Sequence, residues 1–351
     1  TTVNAGTSGA LTTATATTMA LNLAGTTSTG AVTLDSDITT VNIASATAAN
    51  TLASLSSSGA TAVNISGSKN LVLTANTFAA TAAITSTSTG NVTLGTAVAV
   101  GQTYTGGSGV DTLTTTTAST KATTLGGGDD VITSTGVFGT GGSLDAGAGD
   151  DTIVMTAAQA ATATASTTFA GKVSGLETMS IGATGATATA LNMTNADGMN
   201  IVTSAGFGAA LTITNAAAGF TFNQTVLGSV ASSIALGDVT GTSDTVNLGY
   251  TAAAGFTNTA AITLAGIEII NITTDDTSLL ATAFGAEITA ASVVTVNVSG
   301  DAGFNAGSGL SATTLTTFDA SGVTGTGSAG AVTFTTGVLA ASATLTGGAG
   351  T

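Results

Sequence analysis

Histidine, cysteine, proline, tryptophan and arginine are all missing from the 351 residues. Without histidine or cysteine the chain can build no Ser-His-Asp or Cys-His nucleophile, zinc finger, thiolate cluster or His-ligated haem. The sequence therefore reads as that of a protein that is not an enzyme. Positive charge is nearly as scarce: three lysines (Lys69, Lys121, Lys172) stand against 18 acidic residues, a formal charge of -15. Gripping a phosphate backbone needs clustered Lys or Arg, so no nucleic-acid partner is expected. Carboxylates with so few cations to pair with suit a divalent metal ion instead. Long apolar runs are missing too. The mean hydropathy of +0.51 comes from Ala, Val, Ile and Leu scattered among Thr, Ser and Gly, and no stretch nears the ~18–20 apolar residues of a spanning helix. No membrane insertion is expected. Aromatics make up only 4%, too little bulk for a thick layered core, which favours a thin core between closely spaced strands. The lack of cysteine fits a secreted protein held by ions rather than disulfides. Thr1-Thr2-Val3-Asn4 shows neither an initiator Met nor a signal segment, so these residues are expected to be one portion of a longer chain.

What is present is order. Apolar-Asn-apolar triplets recur at Leu21-Asn22-Leu23, Val41-Asn42-Ile43, Val63-Asn64-Ile65, Leu191-Asn192-Met193, Met199-Asn200-Ile201, Val246-Asn247-Leu248, Ile270-Asn271-Ile272 and Val296-Asn297-Val298. A parallel set with central Thr includes Val92-Thr93-Leu94, Leu211-Thr212-Ile213, Ile262-Thr263-Leu264 and Val332-Thr333-Phe334. Each triplet reads as a short strand with two side chains turned in and one out. The early asparagines, at 4, 22, 42 and 64, are spaced like the coils of a repeat. Strands this short cannot bury an apolar face alone but can stack on neighbouring coils, which predicts an all-β chain of β-solenoid or β-roll-like coils. A β-sandwich is the alternative. Two segments, Gly175-Leu176-Glu177 and Gly266-Ile267-Glu268, repeat a weaker motif. Their glutamates are either outward acids at the start of a strand, or carboxylates that border an ion site or touch another coil.

Residues 106–154 carry six aspartates among dense glycines. Gly106-Gly107-Ser108-Gly109-Val110-Asp111, Gly126-Gly127-Gly128-Asp129-Asp130 and Gly147-Ala148-Gly149-Asp150-Asp151 are each followed, two residues after the last Asp, by Leu113, Ile132 and Ile153. The first fits a nonapeptide of Gly-Gly-x-Gly-x-Asp-x-apolar fully, and the other two fit it with the leading Gly replaced, by Leu125 and Ala146. Glycine lets a tight turn adopt positive φ so that carbonyls can gather in one space, and Asp adds charge to it. Oxygen-only ligands in a flexible loop select Ca²⁺. The candidate metal ligands are Gly107, Gly109, Asp111, Gly126, Gly128, Asp130, Gly147, Gly149 and Asp151. Asp129 and Asp150 are either further ligands or solvated turn residues, and Asp145 is similarly open.

These three copies resemble the RTX calcium-binding repeat, in which an ion lies between turns of successive coils. The resemblance implies one site shared by Asp111 and Asp130 and another by Asp130 and Asp151. The chain departs from that family in lacking a tandem nine-residue spacing. With Thr40-Val41-Asn42-Ile43-Ala44, Gly175-Leu176-Glu177-Thr178-Met179 and Phe318-Asp319-Ala320-Ser321-Gly322, the order of segments is similar to calcium-dependent S-layer proteins of the Caulobacter type. That likeness implies type I secretion, a cell-surface location and self-assembly into a two-dimensional lattice bound by calcium. It also implies anchoring to outer-membrane polysaccharide through a region outside this chain. The alternative is a segment of a secreted RTX adhesin, or of another RTX protein whose active or binding module lies elsewhere.

Four regions are expected: β-solenoid-like repeats over 1–100, the calcium-binding block over 101–155, a second β-rich repeat region over 156–345, and the start of a further repeat over 346–351. Asp238 with Asp244, flanked by Gly241-Thr242-Ser243, forms a further candidate site. Asp35 with Asp37, Asp275 with Asp276, Asp301 and Asp319 are weaker ones. For each of these the ordinary role is to cap a turn through its own backbone.

Overall fold

The computed structural model describes residues 9–11, 16–116, 118–185, 187–258, 260–278, 283–307, 310, 314–335, 339 and 342–350. The chain is nearly all-β and forms a β-solenoid of about 13 turns built from parallel sheets. It divides into two compact units, Thr1–Met155 with Thr168–Glu177, and Thr156–Thr167 with Thr178–Thr351.

In the first unit the coils place strands on two faces, and one coil divides its second strand into Leu71–Leu73 and Asn76–Phe78, both paired with Asn50–Ser57. On one face Thr18–Leu23, Thr40–Ser45, Ala62–Gly67, Ala83–Ser86, Thr103–Thr105, Ala122–Thr124, Ser143–Asp145 and Val173–Ser174 stack in chain order. Their register runs Met19, Val41, Val63, Ile84, Tyr104, Thr123, Leu144 and Val173 into a single inward column. All eight side chains are buried. Asn42 and Asn64 stand between inward positions and point outward, with Asn64 Nδ2 donating to Asn42 Oδ1 at 2.8 Å. Within the strands the triplets thus behave as alternation requires.

The opposite face carries Leu71–Leu73, Val92–Leu94, Asp111–Thr114, Val131–Thr133 and Thr152–Met155. Leu71 pairs with Val92 and Val92 with Asp111. The next two pairings align Thr112 with Val131 and Val131 with Thr152, which sets Asp130 and Asp151 behind Asp111 in the same row. A core column that runs through Asn50, Leu71 and Val92 therefore continues as aspartate. Leu113, Ile132 and Ile153 are 2%, 0% and 0% exposed, the inward anchors that the nonapeptide pattern requires.

The second unit repeats the scheme with larger strands, among them Ile201–Ser204, Phe220–Gln224, Thr245–Ala252, Ile269–Asp276, Thr295–Gly300 and Thr317–Val323. Here Asn247, Asn271 and Asn297 form an outward ladder, with Asn271 Nδ2 donating to Asn247 Oδ1 and Asn297 Nδ2 to Asn271 Oδ1, at 2.8 Å each. Inside, Tyr250 packs on Phe256, Phe284 and Phe304. The cluster gathers four of the chain's 13 aromatic residues in one place.

Three expectations from the triplets need correction. Asn22 does not stand in the Asn42 row: Ala20 pairs with Asn42 and Asn22 with Ala44. A two-residue slip keeps every side chain on its own face, so alternation alone does not fix the pairing; the register sets Met19, Leu21 and Leu23 against Val41, Ile43 and Ser45, and the coil there is 22 residues (Leu21 to Ile43). Met199-Asn200-Ile201 straddles the start of a strand whose inward residue is Val202. Val332-Thr333-Phe334 contributes only an isolated bridge from Thr333 to Asn305, while Phe334 stacks on Phe318 at 3.9 Å. Asn4 lies outside the described residues.

The fold also includes a helix, Ala157–Thr164, with a full capping box between Thr156 and Gln159.

Candidate functional site: a column of buried carboxylates

The Gly/Asp turns stack one on another because glycine removes the atoms that would keep them apart. A Cβ on Gly126 would lie 2.2 Å from the Gly107 carbonyl oxygen, and one on Gly147 would lie 2.1 Å from that of Gly126. Both residues have positive φ, +105° and +99°, a region costly for any other residue. Gly106 makes room for the acid itself, since a Cβ there would be 2.2 Å from Asp111 Oδ2. Gly147→Ala is expected to cost about 1–3 kcal/mol through strain, before any loss of metal affinity. Gly185→Ala, where an added Cβ meets nothing within 4 Å, should cost almost nothing. Thermal melts of the two variants check this, and equal melting temperatures would mean that the turns do not touch.

On this base the acids form a chain of hydrogen bonds from coil to coil. The Asp111 N–H donates to Asp130 Oδ1 at 2.6 Å, and the Asp130 N–H donates to Asp151 Oδ1 at 2.7 Å. The Asp151 N–H donates to Glu177 Oε2 at 2.7 Å. At the near end the Tyr104 hydroxyl, reaching across from the opposite face, donates to Asp111 Oδ2 at 2.9 Å. Asp111, Asp130 and Asp151 are each no more than 1% exposed. Asp130 Oδ2 and Asp151 Oδ2 are enclosed and have no hydrogen-bond partner.

The electrostatics follow from that burial. Burial pushes Asp111 up to about 6, against the hydrogen bond from Tyr104 and a backbone N–H of Gly107 that favour the charged form. Burial also pushes Asp130 up to about 7, and the neighbouring charges of Asp111, Asp151 and Asp129 add to it. Asp151 is raised for the same first reason, with Glu177, Asp129 and Asp150 contributing. The Tyr104 hydroxyl is held protonated by burial and by the adjacent Asp111. Three carboxylates in a core column are costly unless something cationic or a proton is supplied.

The sequence-derived candidates divide between this column and its rim. Asp111, Asp130 and Asp151 are brought together as expected on successive coils. Asp129 and Asp150 are exposed, linked by the Asp150 N–H to Asp129 Oδ1 at 3.0 Å. Asp145 is exposed and accepts from the Ser174 hydroxyl. Asp238 caps its own turn, accepting from the Thr240 N–H and hydroxyl, which hold it below the usual carboxylate value. Asp244 is engaged with Glu268 instead: its N–H donates to Glu268 Oε2 at 3.0 Å, the Glu268 N–H returns to its carbonyl, and its Oδ2 is enclosed without a partner. Asp35 and Asp319 accept from the backbone two residues on. Asp301 accepts the Asp276 N–H, and the structure gives Asp275 no such link. The two Gly-aliphatic-Glu segments, whose Gly175 and Gly266 both have φ of +69°, thus serve one purpose: each glutamate receives the N–H of an aspartate one coil earlier.

The donors suit a hard cation. They are carboxylate oxygens, two of them buried and unpartnered, beside glycine turns whose Gly107 and Gly126 carbonyls accept from the next coil, and oxygen-only surroundings are what Ca²⁺ takes. Among the described residues no three acidic side chains converge on one point, so an ion here would take carboxylates from two coils and its remaining ligands from the backbone. No helix among the described residues is long and apolar enough to cross a membrane. Comparison with protein-family models returns no match for this chain, and comparison with curated proteins returns none either.

Proposed function

We propose that this chain is a calcium-stapled structural segment of a secreted bacterial surface layer. The observation that carries the reading is the aspartate column in a core position, with buried oxygens that lack partners. Asp111, Asp130 and Asp151 would hold Ca²⁺ between coils, with carbonyls of the Gly107, Gly126 and Gly147 turns completing the shell. The ion supplies the positive charge that the sequence lacks and fixes the spacing of the coils. The protein's part is to align the carboxylates through backbone N–H bonds, to exclude water from them, and to present outward rows of Asn, Thr and Ser with little charge. Such rows suit lateral packing of copies. Net charge of the same sign on every copy opposes that packing until divalent ions bridge or neutralise it.

The expected result is ordered sheets in millimolar calcium, dispersed subunits in EDTA, and no rescue by NaCl of equal ionic strength. Light scattering and electron microscopy across the three buffers test it. Equal assembly in NaCl alone would show that screening, and not ligation, holds the copies together.

A further inference from the structure

The Gly/Asp pattern in the sequence ends at Asp151, but the column does not. Gly175 continues the glycine row: a Cβ on it would lie 2.6 Å from Gly147 N and 3.0 Å from Gly147 O. Glu177 continues the acidic row, since its Oε2 accepts the Asp151 N–H at 2.7 Å and its own N–H donates to the Asp151 carbonyl at 3.1 Å. Asp130 and Asp151 use Oδ1 in the same way toward the coil before them. Asp151 stands four positions after Gly147, whereas Glu177 stands two after Gly175, and the longer glutamate side chain spans the shorter turn. Leu176, 3% exposed, pins that turn to the core.

The residue that donates to Glu177 carries an unsatisfied oxygen of its own. Asp151 is 0% exposed, and its Oδ2 has no partner. Glu177 leads the carboxylates whose charge bears on it. The lysine nearest in sequence, Lys172, gives its Nζ to the carbonyls of Phe138 and Gly139, at 2.7 Å each.

We infer that Glu177 closes the column as a ligand of an additional divalent-cation site shared with Asp151, one coil beyond the Gly/Asp repeats. The inference rests on the calcium reading of the column. It places Asp151, like Asp130, between two ions, and it assigns a metal-binding role to a coil that lacks the repeat motif.

Glu177→Gln tests it in the full chain. The amide keeps a carbonyl oxygen for the Asp151 N–H but removes the charge. Calcium titration by calorimetry and counting of bound Tb³⁺ should both give one ion fewer than in the wild type. Tyr104-sensitised Tb³⁺ emission should persist, because Tyr104 touches Asp111, about 14 Å from Glu177 at ~4.8 Å per coil. A wild type that binds neither ion would overturn the calcium reading and this inference with it. A wild type that binds them, beside a Glu177→Gln variant of equal stoichiometry and affinity, would overturn the Glu177 assignment alone. Should the variant misfold, anomalous scattering from Tb³⁺ in wild-type crystals decides. An ion about 2.3–2.6 Å from the Glu177 carboxylate supports the site, and ions confined to Asp111 and Asp130 refute it.

Discussion

Asp130→Asn is expected to change stability in opposite directions with and without calcium. In EDTA at pH 8 the wild type holds Asp130 ionised although its environment raises it to about 7, so the carboxylate is a buried charge beside two others. Asparagine keeps the acceptor for the Asp111 N–H, and its amide can donate to the flanking carboxylates. The variant should therefore gain about 1–3 kcal/mol in EDTA, the usual magnitude for relief of an uncompensated buried polar group. In calcium the same change removes the charge assigned to two ions. At a hundredfold excess of calcium over Kd each ion stabilises by about 2.7 kcal/mol, so roughly 5 kcal/mol should be lost. Asp111→Asn, at the end of the column and assigned to one ion, should lose about half as much. Denaturant melts in the two buffers give the comparison. Destabilisation of equal size in both would show that Asp130 serves only its backbone hydrogen bond.

The pH dependence should invert in the same way. Asp111 and Asp130 have folded values of about 6 and about 7 against an ordinary 3.8, so the folded state binds more protons than the unfolded one. Their contribution is fully present below pH ~4 and is lost as pH rises through 6 to 7. At about 1.4 kcal/mol per unit of pKa difference, the two shifts together set an upper bound of about 7 kcal/mol on the loss. Asp238 and Asp319, both lowered, act in the opposite sense only as pH falls below about 4. In EDTA the melting temperature should therefore fall between pH 4.5 and 8. In calcium it should rise over the same range, because ligation needs the ionised carboxylates that protons compete for. Parallel melting curves in the two buffers would mean that the column neither titrates nor binds.

Much of this was legible in the sequence, and what was missed has physical reasons. Alternation in Val41-Asn42-Ile43 and Val63-Asn64-Ile65 gave the inward and outward faces, since period two is insensitive to which coil pairs with which. For the same reason it could not tell a two-residue slip at Asn22. The metal candidates Asp111, Asp130 and Asp151 were readable from the spacing of their glycines. That they occupy the place of Leu71 and Val92 was not, because it depends on register between coils. Glu177 escaped assignment because its turn is two residues short of the motif, yet Gly175-Leu176-Glu177 and its echo at Gly266-Ile267-Glu268 were visible. The helix at Ala157–Thr164 had its signal as well, in Thr156-Ala157-Ala158-Gln159 ahead of an alanine run. Strong Thr and Ala content elsewhere in the chain masked it.

The pairing register also sets how the chain acquires its structure. Contacting residues are separated by 22 positions at Val41 and Val63, 19 at Tyr104 and Thr123, and 26 at Ile270 and Val296. Against 351 residues that is a relative separation of roughly 0.06, at or below the value for helical bundles, which fold in microseconds to milliseconds. A nucleus of two or three coils can start anywhere, and each further coil then closes one short loop onto a template already formed. Growth proceeds from the ends of that template, and so does fraying, which places the coils at the ends of the template first in line to exchange their amide protons.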